Sequence, residues 1–306
     1  MNSPAFWGEQ AKAHARDGEY ARAETALRQG LQRHPGHPVL GYALAILLLA
    51  RGDYAAGWPL YEDRLRLAGA RAPTLSFAQW RGEPVDSLLV LPEQGFGDQI
   101  MFARYIRPLL ARGIRVTVVA PQALARLYQP LGAEVLAMDG DLSVPTRDAW
   151  CMIGSLPGLV STLPTDPWVR ARGRGGGRGV MLRGSGRYPH RDLSPEAVAA
   201  LEGLGLSLSP EATGARDFQD TAEIIAGLDH VITVDTAVAH LAGSLGAPTW
   251  LLLPTSADWR WGRTESTSAW YPSMRLFRQR VAGDWTGVVD EVRTELARTA
   301  TRQNAV

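Results

Sequence analysis

Apolar spacing changes character along the chain. In the first part, small and apolar residues recur at helical spacing around two short polar turns, Gly18-Glu19-Tyr20-Ala21 and Gly52-Asp53-Tyr54-Ala55. From Ser87 onward the pattern is short apolar runs alternating with helical stretches. Ser87–Leu91 reads as a strand, Gln99–Arg112 as a helix closed by Gly113, Arg115–Val119 as a strand and Ala123–Leu131 as a helix. Glu134–Ala137 and Trp150–Ile153 read as further strands. The stretch 170–179, rich in Gly and Arg, reads as a linker. A second alternating region opens with a strand at Gly179–Leu182. Its clearest unit is Leu228–Leu253: strand Val231–Val234, the pair Asp235-Thr236, helix Ala237–Leu245, a stop at Gly246, and strand Trp250–Leu253. The segment from Asp284 is helix-like and could cross back to the first half.

Strands alternating with helices predict parallel sheets covered on both faces. The expected fold class is α/β, a pair of doubly wound Rossmann-type halves preceded by a short all-α segment. The expected divisions are 1–70 for the helices, 71–170 for the first half and 178–306 for the second. The two polar turns, at 18 and 52, lie 34 residues apart. That offset and the G-[DE]-Y-x-x-[AG] pattern resemble tetratricopeptide repeats, which usually hold protein segments in a concave groove. Two repeats are too few to be stable alone, so they are expected to pack on the rest of the chain or on another subunit.

Composition narrows the function classes. A chain of 306 residues can bury a large core, and a net charge of +1 argues against a dominant nucleic-acid role. Cys151 is the only cysteine, so no intrachain disulfide or cysteine-based zinc site is possible; its apolar surroundings predict a core thiol. No signal pattern and no membrane-length apolar run is present. The expectation is a cytoplasmic protein with no membrane insertion.

Candidate chemistry sits at strand ends. Glu93-Gln94-Gly95-Phe96-Gly97-Asp98 follows a strand and opens a helix. Gly95 and Gly97 permit a tight turn and close approach of a ligand, and Asp98 suits either a helix N-cap or a general base. The third glycine of a dinucleotide fingerprint is missing. Asp235 and Thr236 precede a helix whose free N–H groups and dipole favour a phosphate, or they simply cap it. Arg183–Pro195 forms a basic loop in which Arg183, Arg187, His190 and Arg191 can neutralise an anion. Asp258-Trp259-Arg260-Trp261 with Trp270-Tyr271-Pro272 and Arg275–Gln279 suits either stacking on a base or sugar, or a structural aromatic cluster. Asp139-Gly140-Asp141 matches the D-x-D of metal-dependent sugar transferases, but two turn-forming aspartates explain it better. No metal site and no cofactor are expected.

The ordered set EQGFGD, then DTAVAHLAGSLGAPTW, then DWRW…WYP…RLFRQ resembles a bacterial tetratricopeptide-repeat protein with a GT-B glycosyltransferase domain. That domain is related to the ADP-heptose:lipopolysaccharide heptosyltransferases. The resemblance spans nearly the whole chain and includes flagellin-modifying enzymes. It implies that Asp98 is the catalytic base. It implies that Gly95, Gly97, Ser185, Arg191, Asp235, Thr236, Ala237 and His240 hold a nucleotide-sugar donor in a cleft between the halves. It also implies a protein acceptor, possibly flagellin, and a possible homo-oligomer. The sequence departs from the heptosyltransferases at Ala237, where they carry Gly, and in the Arg183–Arg191 loop. The alternative is a catalytically inactive scaffold that binds a protein partner through its repeats.

Overall fold

In a computed structural model, residues 2–303 are described apart from 71, 72, 139, 141, 142, 185 and 187–190. The D-x-D aspartates, Ser185, Arg187 and His190 therefore lie outside the described residues.

The chain begins with two antiparallel helix pairs: α1 (Pro4–Arg16) with α2 (Tyr20–Arg33), and α3 (Pro38–Ala50) with α4 (Tyr54–Tyr61). Each pair turns on a left-handed glycine, Gly18 at φ 75° and Gly52 at φ 82°, which any other residue would hold at a cost of roughly 1–2 kcal/mol. Those glycines are the repeat read in the sequence. Ala23, Ala26, Leu27, Leu40, Leu44 and Leu48 fill the space between the helices.

Two parallel sheets follow. The first contains β1 (Ser87–Leu91), β2 (Arg115–Pro121), β3 (Glu134–Met138) and β4 (Ala149–Met152), in the order β3-β2-β1-β4. The second contains β5 (Arg178–Met181), β6 (Leu206–Ser207), β7 (His230–Val234), β8 (Thr249–Leu253) and β9 (Met274–Arg278), in the order β6-β5-β7-β8-β9. In each sheet the order reverses beside its first strand, between β1 and β4 and between β5 and β7. Doubly wound sheets bind ligands at the carboxyl ends of strands at such switch points. The fold class expected from the sequence is the one observed.

Three elements differ from expectation. The helix expected over Gln99–Arg112 is two, α5 (Phe96–Ala103) and α6 (Ile106–Ala111). Pro108 lacks the N–H that would reach the Arg104 carbonyl, so one helix cannot run through. The C-terminal helix Thr286–Gln303 does not cross back. Its residues Val288, Val289 and Val292 pack with β9 and the helix Pro195–Leu201 of the second half. The two halves do not face each other across an open cleft along their whole junction. After α7 (Gln122–Tyr128), α8 (Leu156–Val160), α9 (Pro195–Leu201), α10 (Pro210–Thr213) and α11 (Phe218–Ala226), the helix α12 (Ala237–Leu245) follows β7; it is buried from Val238 to Ser244 and lies directly against α5. One continuous apolar core runs from Trp58 and Tyr61 of the repeats through Phe102 and Leu241 to Trp259 and Trp270. Cys151 is fully buried in it, and burial pushes its thiol pKa up, as suits an inert core residue.

Half-buried His230, at the start of β7, has its ring against Trp250 at 4.4 Å and its pKa depressed by burial to about 4. The folded state therefore resists protonation that the unfolded chain accepts from about pH 6.5 downward. Its contribution is complete above pH 6.5 and is lost as pH falls toward 4. His230→Phe should lose roughly 1–2 kcal/mol less than wild type between pH 7 and pH 5 in urea unfolding. Equal losses would contradict this assignment.

Candidate functional site

The turns at the two switch points carry the candidate residues. After β1 the chain passes through Glu93 and Gln94 into α5, whose N-cap is Gly95. Asp98 is the third residue of that helix rather than its cap. It reaches back to accept the Gly95 N–H at 3.0 Å, so it serves the helix end by a different geometry from the one expected. After β7, Asp235 is buried and Thr236 is the N-cap of α12. Thr236 makes no side-chain cap; its hydroxyl lies 3.3 Å from that of Thr233. The first N–H groups of α12 are thus not taken by a capping side chain, as an anion site requires.

The beginnings of α5 and α12 meet. A β-carbon at Gly97 would sit 2.7 Å from the His240 ring and 3.4 Å from the Ala237 α-carbon. Gly97 is therefore small because another helix needs the space, which corrects the expectation that it admits a ligand. His240 is a second correction. It is 4% exposed, stacked on Trp261 at 5.0 Å, and bonded through Nδ1 to the Tyr271 hydroxyl at 2.9 Å. Burial holds its pKa well below the ordinary value, with Arg260 adding to the effect. It is a neutral wall between the halves, with no face left for a donor.

A ladder of alternating charges crosses the junction. Arg260 pairs with Asp98 on one side and with Asp258 at 2.7 Å on the other. Arg191 pairs with Asp258 at 3.1 Å and with Asp235 at 2.9 Å. Burial acts to raise the Asp258 pKa, but Arg260 and Arg191 outweigh it and hold that carboxyl below its ordinary value. Asp235 moves the other way, to about 6, because burial dominates and the Asp258 charge adds to it, with Arg191 opposing. Gly95, Thr236, Ala237, Arg191 and Asp98 remain at least partly accessible around this ladder.

Of the two readings of the aromatic motif, the structure favours the structural cluster. Trp259, Trp261, Trp270 and Tyr271 are all at most 5% exposed, so they offer no stacking surface. They lock the second half to the repeats: Trp259 meets Trp58 at 5.5 Å, and Tyr54 meets Trp270 at 5.5 Å. Arg275 belongs to β9, and Arg183 is exposed. Sequence reasoning left Arg260 either beside a stacking surface or in a structural cluster and did not see its partner Asp98, which is distant in sequence. It missed Arg64 altogether, because its partner Glu93 lies 29 residues away.

Residues 14–57 match the tetratricopeptide-repeat family. Protein FlbA of Caulobacter vibrioides is 27% identical to this chain, over 88% of the chain and 57% of FlbA. The chain thus spans little more than half the length of that relative. Among solved structures, the chain is similar to the iron-containing dodecameric glycosyltransferase TibC of enterotoxigenic E. coli. That match has a TM-score of 0.44 and 16% identity, covering 71% of this chain and 69% of TibC. A family 9 glycosyl transferase of Veillonella parvula gives a TM-score of 0.48 at 9% identity, covering 63% of this chain and 86% of that one. Residues 14–57 thus carry a tetratricopeptide repeat, and the chain beyond the repeats forms a pair of Rossmann-type halves. No helix among the described residues is long and apolar enough to cross a membrane.

Proposed function

We propose that the chain is a glycosyltransferase that moves a sugar from a nucleotide-sugar to a hydroxyl, on a protein acceptor such as flagellin. The observation that carries this reading is the meeting of α5 and α12 at two switch points. It brings a carboxylate, Asp98, near an uncapped helix N-terminus backed by Arg191. In this reading the donor diphosphate takes the N–H groups at Thr236–Val238, with charge from Arg191. Asp98 accepts the proton of the acceptor hydroxyl as that oxygen attacks the anomeric carbon, and the bond to the phosphate breaks. No residue is assigned a metal role, and no cofactor is required. Homo-oligomerisation and a cytoplasmic location remain part of the proposal.

One observation favours the scaffold alternative. Both Asp98 oxygens are already engaged, one by the Gly95 N–H and one by Arg260, so the carboxylate must exchange a partner before it can accept a proton. A thermal-shift panel of UDP, GDP, ADP and CMP with their sugars separates the two. A nucleotide at a hundred times its dissociation constant stabilises the fold by about 2.7 kcal/mol. The transferase reading expects one nucleotide class to do so, whereas stabilisation by none would leave the scaffold. Sugar transfer from the binding donor to candidate protein acceptors then tests the acceptor class.

A further inference from the structure

The repeats reach into the candidate site. Arg64 lies in the turn Glu62–Arg66 that closes them, and it is 7% exposed. Its Nε donates to Glu93 Oε2 at 3.0 Å, and its Nη2 donates to Glu93 Oε1 at 2.6 Å. Nη2 also donates to Ser155 Oγ at 2.8 Å, and Nη1 donates to the Tyr61 carbonyl at 3.2 Å. Glu93 Oε1 in turn accepts the Gly154 N–H at 2.9 Å. One guanidinium therefore joins the end of the repeats to the turns after β1 and β4, which are the two lips of the first switch point.

A second path runs beside it. The Gln94 amide is 2.9 Å from the Tyr61 hydroxyl, and its Oε1 accepts from Arg260 at 3.4 Å. Gln94 sits at φ 62°, a left-handed conformation that costs a non-glycine residue roughly 1–2 kcal/mol and persists only where neighbours hold it. The Arg64–Glu93 side chains are 6% and 11% exposed, so this bidentate pair is little screened and fixes a plane as well as a distance.

We propose that Arg64 is a positioning residue of the site: through Glu93 it fixes the turn that sets Asp98 and Gln94 in place. The repeats are then a wall of the site and not only a module for holding a partner. The catalytic consequence rests on the transferase reading; the structural one does not.

The test compares Arg64→Gln with Leu27→Ala in the full chain. Leu27, 1% exposed, belongs to the repeats' own core cluster, separate from the one that holds the residues of α5 and α12. In Arg64→Gln, amide hydrogen exchange of residues 95–99 is expected to quicken at least tenfold. The turnover number should fall at least tenfold, with KM for the donor within about threefold of wild type. Leu27→Ala should lower the melting temperature without either change. If Arg64→Gln does not fold, Arg64→Lys gives the same comparison, since it keeps the charge but loses the fork. Wild-type exchange and turnover in the Arg64 variant, or equal changes in both variants, would overturn the proposal. If wild type transfers no sugar, the transferase reading fails, and the exchange data still decide this one.

Discussion

Asp98→Asn is expected to lower sugar transfer by about 10²–10⁴-fold while nucleotide affinity stays within a few-fold of wild type. The amide fills the same volume but cannot take a proton from an attacking hydroxyl. It also has one acceptor oxygen where the carboxylate has two. Of the Gly95 N–H and Arg260 contacts, one must be lost, so a modest fall in melting temperature should accompany the change. Steady-state kinetics beside a nucleotide titration separate the two effects. Near-full turnover would reduce Asp98 to a stabiliser of the first turn of α5.

The second large effect is on stability. Arg260→Met should cost roughly 3–5 kcal/mol, the usual loss when one partner of a buried ion pair is removed. Arg260 is 8% exposed, bridges Asp98 and Asp258, and stacks over Trp259 at 4.4 Å. Removing it leaves two carboxylates facing each other across a buried gap, with the Asp235 carboxyl near by. Adding Asp258→Leu to that variant removes one of the carboxylates and should recover part of the loss, although Arg191 then loses its pairing with Asp258. Urea unfolding of wild type, single and double variants gives the comparison. A loss below about 1 kcal/mol would mean that water screens the ladder as it does a surface pair.

Local pattern carried much of the architecture. Gly18 and Gly52 announced the repeats because a left-handed turn between helices leaves few other choices. The run from Val231 to Leu253 announced a strand, helix and strand because burial on both faces demands unbroken apolar residues. The turns at Gly95 and Thr236 were legible for the same reason, as they close such runs. What pattern did not carry was pairing between distant segments. Nothing near Gly97 says that His240 lies against it, so its smallness was assigned to a ligand. The tryptophans of the DWRW motif fitted a stacking surface or a structural cluster equally well until Trp58 was seen packed on Trp259. Arg64 and Glu93 are 29 residues apart, in what read as separate modules, and neither carries a local sign of the other.

The central claim is that a nucleotide diphosphate binds where α5 and α12 meet. Isothermal titration of wild type, Arg191→Ala and Thr236→Val with the nucleoside diphosphate that stabilises the wild type tests it most directly. Circular dichroism should confirm that both variants are folded. Losing one charge-assisted hydrogen bond costs roughly 1.5–3 kcal/mol, so Arg191→Ala should bind about ten- to hundredfold more weakly. Thr236→Val should also bind more weakly, because the donor hydroxyl at the start of α12 is gone. Unchanged affinity in both folded variants would contradict the account and place the nucleotide elsewhere on the molecule.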